Sequence, residues 1–177
     1  MNNVLRILVL ACTATLIGCA TPANQQMMSV TPTVANKAPP NPSLKGAISV
    51  RSVSGGQDTN PLWISQVGTQ EFKGALSDSL RAYGYLSNDP TNAPILVDAN
   101  LQSLSQPIFG MTFNVVSVVN YSIQRQGQNA TQLPITATGS ATISDAFLGV
   151  ERMRLANERS IKENITKFLE GLSARSN

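Results

Sequence analysis

Histidine is absent from all 177 residues, and that absence restricts function more than any other feature of the composition. Without imidazole there is no Ser-His-Asp or Cys-His relay and no histidine-based zinc site. Cysteine is nearly as scarce, with only Cys12 and Cys19 present. No GxGxxG, P-loop or GxSxG pattern occurs, so the usual cradles for dinucleotides, phosphates and acyl-enzyme chemistry are missing. No hexapeptide period exists, which removes acyltransferases of the left-handed β-helix type. Basic runs are missing too: the 13 Lys and Arg residues are scattered against 10 acidic ones, so a pI of 9.1 does not point to nucleic acid. No apolar stretch reaches the roughly 20 residues of a membrane-spanning helix.

What is present begins at the amino terminus. Arg6 precedes the apolar run Ile7-Leu8-Val9-Leu10-Ala11-Cys12, which continues through Thr13-Ala14-Thr15 to Leu16-Ile17. A short apolar run followed by small residues reads as an export signal over residues 1–18. Its removal takes Arg6 alone and leaves 12 of the 13 basic residues against 10 acidic ones, close to balance. The next residues, Leu16-Ile17-Gly18-Cys19, resemble the lipobox of bacterial lipoproteins. That resemblance implies a thioether-linked diacylglycerol on Cys19, cleavage before it, acylation of the new amino group with fatty acid such as palmitate, and the membrane as partner. Several acyl chains hold a protein far more firmly than the marginal binding given by one. Ala20 follows, not the aspartate that resembles an inner-membrane retention signal, so the expected place is the outer membrane, facing the periplasm or the cell surface. Gly18-Cys19-Ala20 also fits ordinary small-x-small cleavage, which would release a soluble chain starting at Thr21.

Residues 19–44 are expected to be the lipidated cysteine and a flexible tether, because Pro, Ala, Asn, Gln, Thr and Ser alternate there without period. Met27-Met28 reads as an incidental apolar spot. Residues 45–177 form one domain with a single core.

Within that domain Ile48 and Val50 alternate with Ser49 and Arg51 and predict a strand ended by Gly55-Gly56. Phe72, Ala75, Leu76, Leu80 and Tyr83 recur at helical spacing, predicting a helix over 65–83 that stops at a left-handed Gly84. Gly68 and Gly74 weaken it. Three strand patterns follow: Ile95 to Gln102, Met111 to Ile123 and Leu133 to Ile143, with Gly127-Gln128-Asn129 as a hairpin loop. One face is apolar and the other rich in Asn, Ser and Thr, interrupted by Val116 and Val118. A last helix over 149–172 carries the stripe Val150, Met153, Ile161, Ile165, Phe168 and Leu172, and Glu158–Lys162 and Glu163–Lys167 are spaced as i,i+4 pairs.

The expected fold class is therefore α+β: a four-stranded sheet in β-α-β-β-β-α order with both helices packed on one face. This order resembles small outer-membrane lipoproteins of the YajG-like kind and the lipopolysaccharide-assembly lipoprotein. The resemblance is carried by Leu76 to Tyr85 and by the strands Val115–Ile123 and Ile135–Ile143. It implies a fold more than an activity and assigns no binding residue.

Candidate chemistry is sparse. Asp58 and Asp145 are loop carboxylates that could pair as acid and base, but a turn residue and a helix cap are the plainer readings. Asp98 lies on the polar strand face and reads as solvated. With a right-handed first crossover, the loops Gly55–Trp63, Gln106–Met111 and Asp145–Gly149 share one edge. They bring together Trp63, Phe109 and Phe147, which serve either as rim packing or as a partner-binding site. No cofactor and no nucleic-acid partner is expected. The expectation is a lipid-anchored, non-catalytic envelope protein binding another envelope component, an envelope protein in particular, in outer-membrane assembly or maintenance. A soluble periplasmic or lipid-carrying protein and an enzyme of unrecognised chemistry are the alternatives.

Overall fold

The computed structural model describes residues 20–32, 40–60 and 65–174; the predicted signal, Cys19 and Trp63 lie outside these. In chain order the elements are α1 (Gln25–Met28), a short 3-10 turn at Pro42–Leu44, β1 (Ile48–Ser54), α2 (Thr69–Ala82), β2 (Ile95–Ser105), β3 (Thr112–Arg125), β4 (Thr131–Thr142) and α3 (Gly149–Ala174). The strands hydrogen-bond in the order β1-β2-β3-β4, with β1 parallel to β2 and the other two pairs antiparallel. The α+β architecture expected from the strand and helix periods is the one observed.

Period-two alternation explains how one sheet face is buried. Ile95, Val97, Ala99 and Leu101 of β2, Val115, Val119, Tyr121 and Ile123 of β3, and Ile135, Ala137 and Ala141 of β4 point toward the helices. The helices answer with Phe72, Ala75, Leu76 and Leu80 of α2 and Ile161, Ile165, Phe168, Leu169 and Leu172 of α3. The Tyr121 and Phe168 rings stack with centroids 4.0 Å apart, a geometry that adds about 0.5–1.5 kcal/mol to the area they bury. Met111 and Ile143, expected on the apolar face, are instead exposed, because they fall beyond the strand ends where the alternation no longer applies.

The helix α3 lies so close to β4 that Gly139 is required. A Cβ there would stand 2.1 Å from the Ser160 nitrogen and 2.4 Å from the Ala156 oxygen. Close approach lets short polar side chains of α3 reach the sheet backbone. Ser160 Oγ donates to the Ala137 carbonyl at 3.2 Å and Asn164 Nδ2 to that of Ile135 at 3.0 Å, while Asn164 Oδ1 accepts the Tyr121 hydroxyl at 3.0 Å. Burial pushes the Tyr121 phenol up, so it stays a neutral donor. Further out, Lys167 Nζ and Arg159 Nη1 donate to the carbonyls of Thr136 and Ser140 at 2.9 and 2.6 Å.

The largest departure from expectation concerns the tether. Over residues 20–32 the chain is docked: Ala20, Ala23, Met28 and Val30 are buried, and Met28 belongs to the main core. Asn24 Oδ1 caps α1 by accepting from the Gln26 and Met27 amides. Gln25 occupies a notch in α2 left by Gly74, where a Cβ would lie 2.1 Å from Gln25 Oε1, and its Nε2 donates to Asp78 at 2.6 Å. The glycine that weakens α2 as an isolated helix is thus the seat of the N-terminal segment. The segment has too few apolar residues to fold alone, but it uses them on a groove that α2 and α3 already form. Residues 33–39 of the expected tether lie outside the described residues.

The first helix begins at Thr69 rather than Ser65, with extended Gly68 as its cap residue, because residues 65–68 pack as an extended strap. At its other end Gly84 does adopt a left-handed φ of 73°, and the Tyr85 amide closes the helix by donating to the Leu80 carbonyl.

Candidate functional site

β1, β2 and β4 end, and β3 begins, at one pole of the sheet, so the loops 55–60, 106–111 and 143–148 gather there as the topology requires. Of the three aromatic residues predicted to meet at this edge, Trp63 lies outside the described residues. Phe109 and Phe147 are at the pole and are 85% and 82% exposed, so neither serves as rim packing. They are accompanied by Ile108, 93% exposed, and by Met111, Ile143 and Leu148. Sequence reasoning missed these companions. The signal was present in Pro107-Ile108-Phe109-Gly110-Met111, an apolar run lying between two strands where a loop is normally polar.

Two of the loops are held by one buried cation. Arg152, in the first turn of α3, donates from Nη1 to the carbonyls of Ala146 and Phe147 at 2.9 and 2.7 Å. Its Nη2 donates to the Gly110 carbonyl at 3.1 Å, and the guanidinium lies over the Phe113 ring, 5.1 Å from the centroid. The planar fork can hold three backbone oxygens at once, which an ammonium cannot do with the same geometry. Beside this clamp a cleft of about 430 Å³ opens between Pro107, Ile108, Phe113, Val150 and Met153. It is lined by apolar side chains, and Gln106 stands at its rim.

Gln106 also connects the pole to the N-terminal segment. Its Nε2 donates to the Ser65 carbonyl at 2.9 Å and to Asn157 Oδ1 at 2.8 Å, while its Oε1 faces Gln66 Nε2 at 3.4 Å. The Ala23 amide donates to the Gln66 carbonyl at 3.0 Å. One residue later the Asn24 amide donates to Glu158 Oε1 at 2.8 Å. Glu158 is nearly fully buried, and burial pushes its carboxyl above the usual range even though Arg154 pairs with it at 2.5 Å. It therefore does not make the predicted pair with Lys162: it faces the N-terminal segment and the preceding turn of α3.

Of the two loop carboxylates, Asp145 is engaged by its own turn and by α3. Asp145 Oδ2 accepts the Thr142 amide at 2.7 Å and Oδ1 accepts Arg159 at 2.7 Å, which holds the carboxyl well below the usual range. It closes the turn after β4 instead of capping α3, which begins four residues later. Asp98 is not simply solvated, since it accepts from Arg51 Nε at 3.0 Å and from Ser52 at 2.7 Å on the open sheet face. Asp58 is exposed in the loop after β1. Among the described residues no group of three or more potential ligands could hold a metal ion, and no helix is long and apolar enough to cross a membrane.

No family model matches the sequence, and no curated protein matches it. Solved structures do share its fold. Protein XCC0632 from Xanthomonas campestris, described by the family-model DUF330, superposes with a TM-score of 0.54 at 11% identity, over 81% of this chain and 93% of that one. A lipoprotein candidate from Caulobacter crescentus gives a TM-score of 0.49 at 12% identity, covering 75% of this chain and 91% of that one. A minor lipoprotein from Acinetobacter baumannii gives 0.42 at 16% identity, covering 72% and 94%. At such identities the likeness is one of fold, and only the first of these scores is high enough to establish it.

Proposed function

We propose that this chain is a lipid-anchored, non-catalytic protein of the bacterial cell envelope that binds another envelope component through its apolar pole. The observation that carries the reading is the pair Phe109 and Phe147, fully presented on loops that Arg152 fixes from below. An exposed apolar patch on a rigid frame is a contact surface by default. The lipobox-like Leu16-Ile17-Gly18-Cys19 supports the anchor, and Ala20 after it supports the outer membrane. The non-catalytic assignment is supported by the lack of histidine and by the engagement of Asp145 and Asp98 in structural hydrogen bonds. The resemblance to YajG-like and lipopolysaccharide-assembly lipoproteins makes envelope assembly or maintenance the setting.

A photoreactive side chain placed at Phe109 in living cells tests this. It should form adducts with envelope protein or lipid, while the same group at Gln128, on the opposite loop, should form few. Equal yields at both positions overturn the binding reading. Mass measurement of the mature amino terminus tests the anchor: a triacylated Cys19 is expected, and an unmodified chain starting at Thr21 overturns it.

A further inference from the structure

We infer that the component met by the apolar pole is the lipid bilayer itself, with Ile108, Phe109, Met111, Phe147 and Leu148 seated at the boundary between headgroups and acyl chains. The inference rests on the acylation of Cys19 and goes beyond it, because an anchor by itself does not decide which face of a protein meets the lipid.

The path of the N-terminal segment makes that decision. Its Ala23 amide bonds Gln66, just ahead of α2, and its Val30 amide bonds Ser79, deep along that helix. The chain thus runs away from the apolar pole, and of the described residues it is Ala20, Thr21 and Pro22 that lead in from the pole end. Ala20 is 6% exposed and Ala23 1%, so the docked chain begins one residue after Cys19. A four-residue step spans at most about 14 Å. Gln66 in turn touches Gln106, the root of the 106–111 loop. An acylated Cys19 would be held beside the exposed loops with no slack to let another face turn toward the membrane.

The chemistry of the loops agrees. Gln106-Pro107-Ile108-Phe109-Gly110-Met111 contains no charged residue, and neither does Ala146-Phe147-Leu148-Gly149-Val150. Of the charges at this pole, Asp145 is paired with Arg159 and Arg152 is held by three carbonyls, while the exposed Asp58 of the 55–60 loop has to stay on the water side of the boundary. Immersing the 106–111 and 146–150 tips therefore takes no charged side chain of their own out of water, and apolar groups placed about 5–10 Å deep are what such a boundary accepts. A protein partner would also welcome the patch, but it would not need the anchor to emerge beside it.

The experiment uses the mature acylated chain, in which Cys19 is blocked and Cys12 has left with the signal. A single cysteine at Phe109→Cys, Phe147→Cys or Gln128→Cys carries a nitroxide, and the protein is reconstituted into vesicles of phosphatidylethanolamine and phosphatidylglycerol at three to one. Collision with dissolved oxygen and with a water-soluble nickel complex reads depth. Labels at 109 and 147 should be oxygen-accessible and nickel-protected, and the label at 128 the reverse. Equal nickel access at 109 and 128, with Cys19 acylated, overturns this inference and leaves the anchored reading intact. Protection at 109 in native envelope vesicles but not in pure lipid makes the occupant a protein and overturns it as well. An unmodified Cys19 overturns both readings.

Discussion

The two ends of the sheet are built by opposite means. At one end the connections Ser87–Pro94 and Gln126–Ala130 are made of Ser, Asn, Asp, Thr, Gln and Pro apart from Ala93, Gly127 and Ala130, and they organise themselves. Asp89 accepts from the Thr91 and Asn92 amides and from Asn92 Nδ2, and Ser87 bonds Asp89. At the other end the connections 106–111 and 143–148 have few side chains able to do this, and a helix residue, Arg152, supplies the donors. Clefts at the polar end are lined by residues such as Arg125, Gln128, Asn129 and Thr131; the cleft at the apolar end is lined by Ile108, Phe113 and Met153. A loop can fold its own backbone with polar side chains, or it can present apolar ones to its surroundings. When it does the latter, its order has to come from elsewhere in the molecule.

This contrast can be broken at several places. The largest expected effect lies between the two ends, where the N-terminal segment runs. Met28→Ala should destabilise the fold by about 2–5 kcal/mol in urea unfolding, as for other buried methionines; a loose tether would give no change. Next, Arg152→Ala leaves three loop carbonyls without their charged donor and should cost about 2–4 kcal/mol. Hydrogen exchange should quicken at 106–111 and 146–148 while residues 87–94 keep their protection. Asp89→Ala should show the mirror image, faster exchange confined to 87–94.

Acid gives the smallest and most diagnostic effect. Arg159 and Thr142 lower the Asp145 carboxyl and Asn92 lowers that of Asp89, both from an ordinary 3.8. A depressed carboxyl contributes stability that is complete above its unfolded value and lost as pH falls through its folded one. Stability should therefore drop below about pH 3.8, and Asp145→Asn should make that decline shallower in thermal melts. Glu158 acts with the other sign, since burial raises its carboxyl and protonation relieves a penalty as pH falls through the raised value.

Much of the fold was legible in the sequence because its strands and helices each bury a single face. The alternation in Ile95–Leu101 and Val115–Ile123 located the central strands, and Gly84 marked the end of α2 correctly. The polar stripe Asn157, Ser160 and Asn164 on α3 was not legible, since its partners are backbone carbonyls of Ser65 in the 65–68 strap and of Ala137 and Ile135 in β4, which only the tertiary fold brings near. The docked segment at 20–32 was hidden for a similar reason: Ala20, Ala23, Met28 and Val30 show no period and need a groove made by two distant helices. Of the candidate site, Phe109 and Phe147 and their shared edge followed from strand direction. Arg152 did not, because an arginine in a helix's first turn reads as solvated until a loop folds over it.

The side chains of Lys167 and Arg159 on the Thr136 and Ser140 carbonyls have a consequence for neighbouring copies. These acceptors are four residues apart in β4 and so point the same way, along an edge that also contains Pro134. A strand arriving there from another molecule would find two acceptors already taken by cations and no amide at the proline. However densely copies of the protein are crowded together, its sheet stops growing at β4.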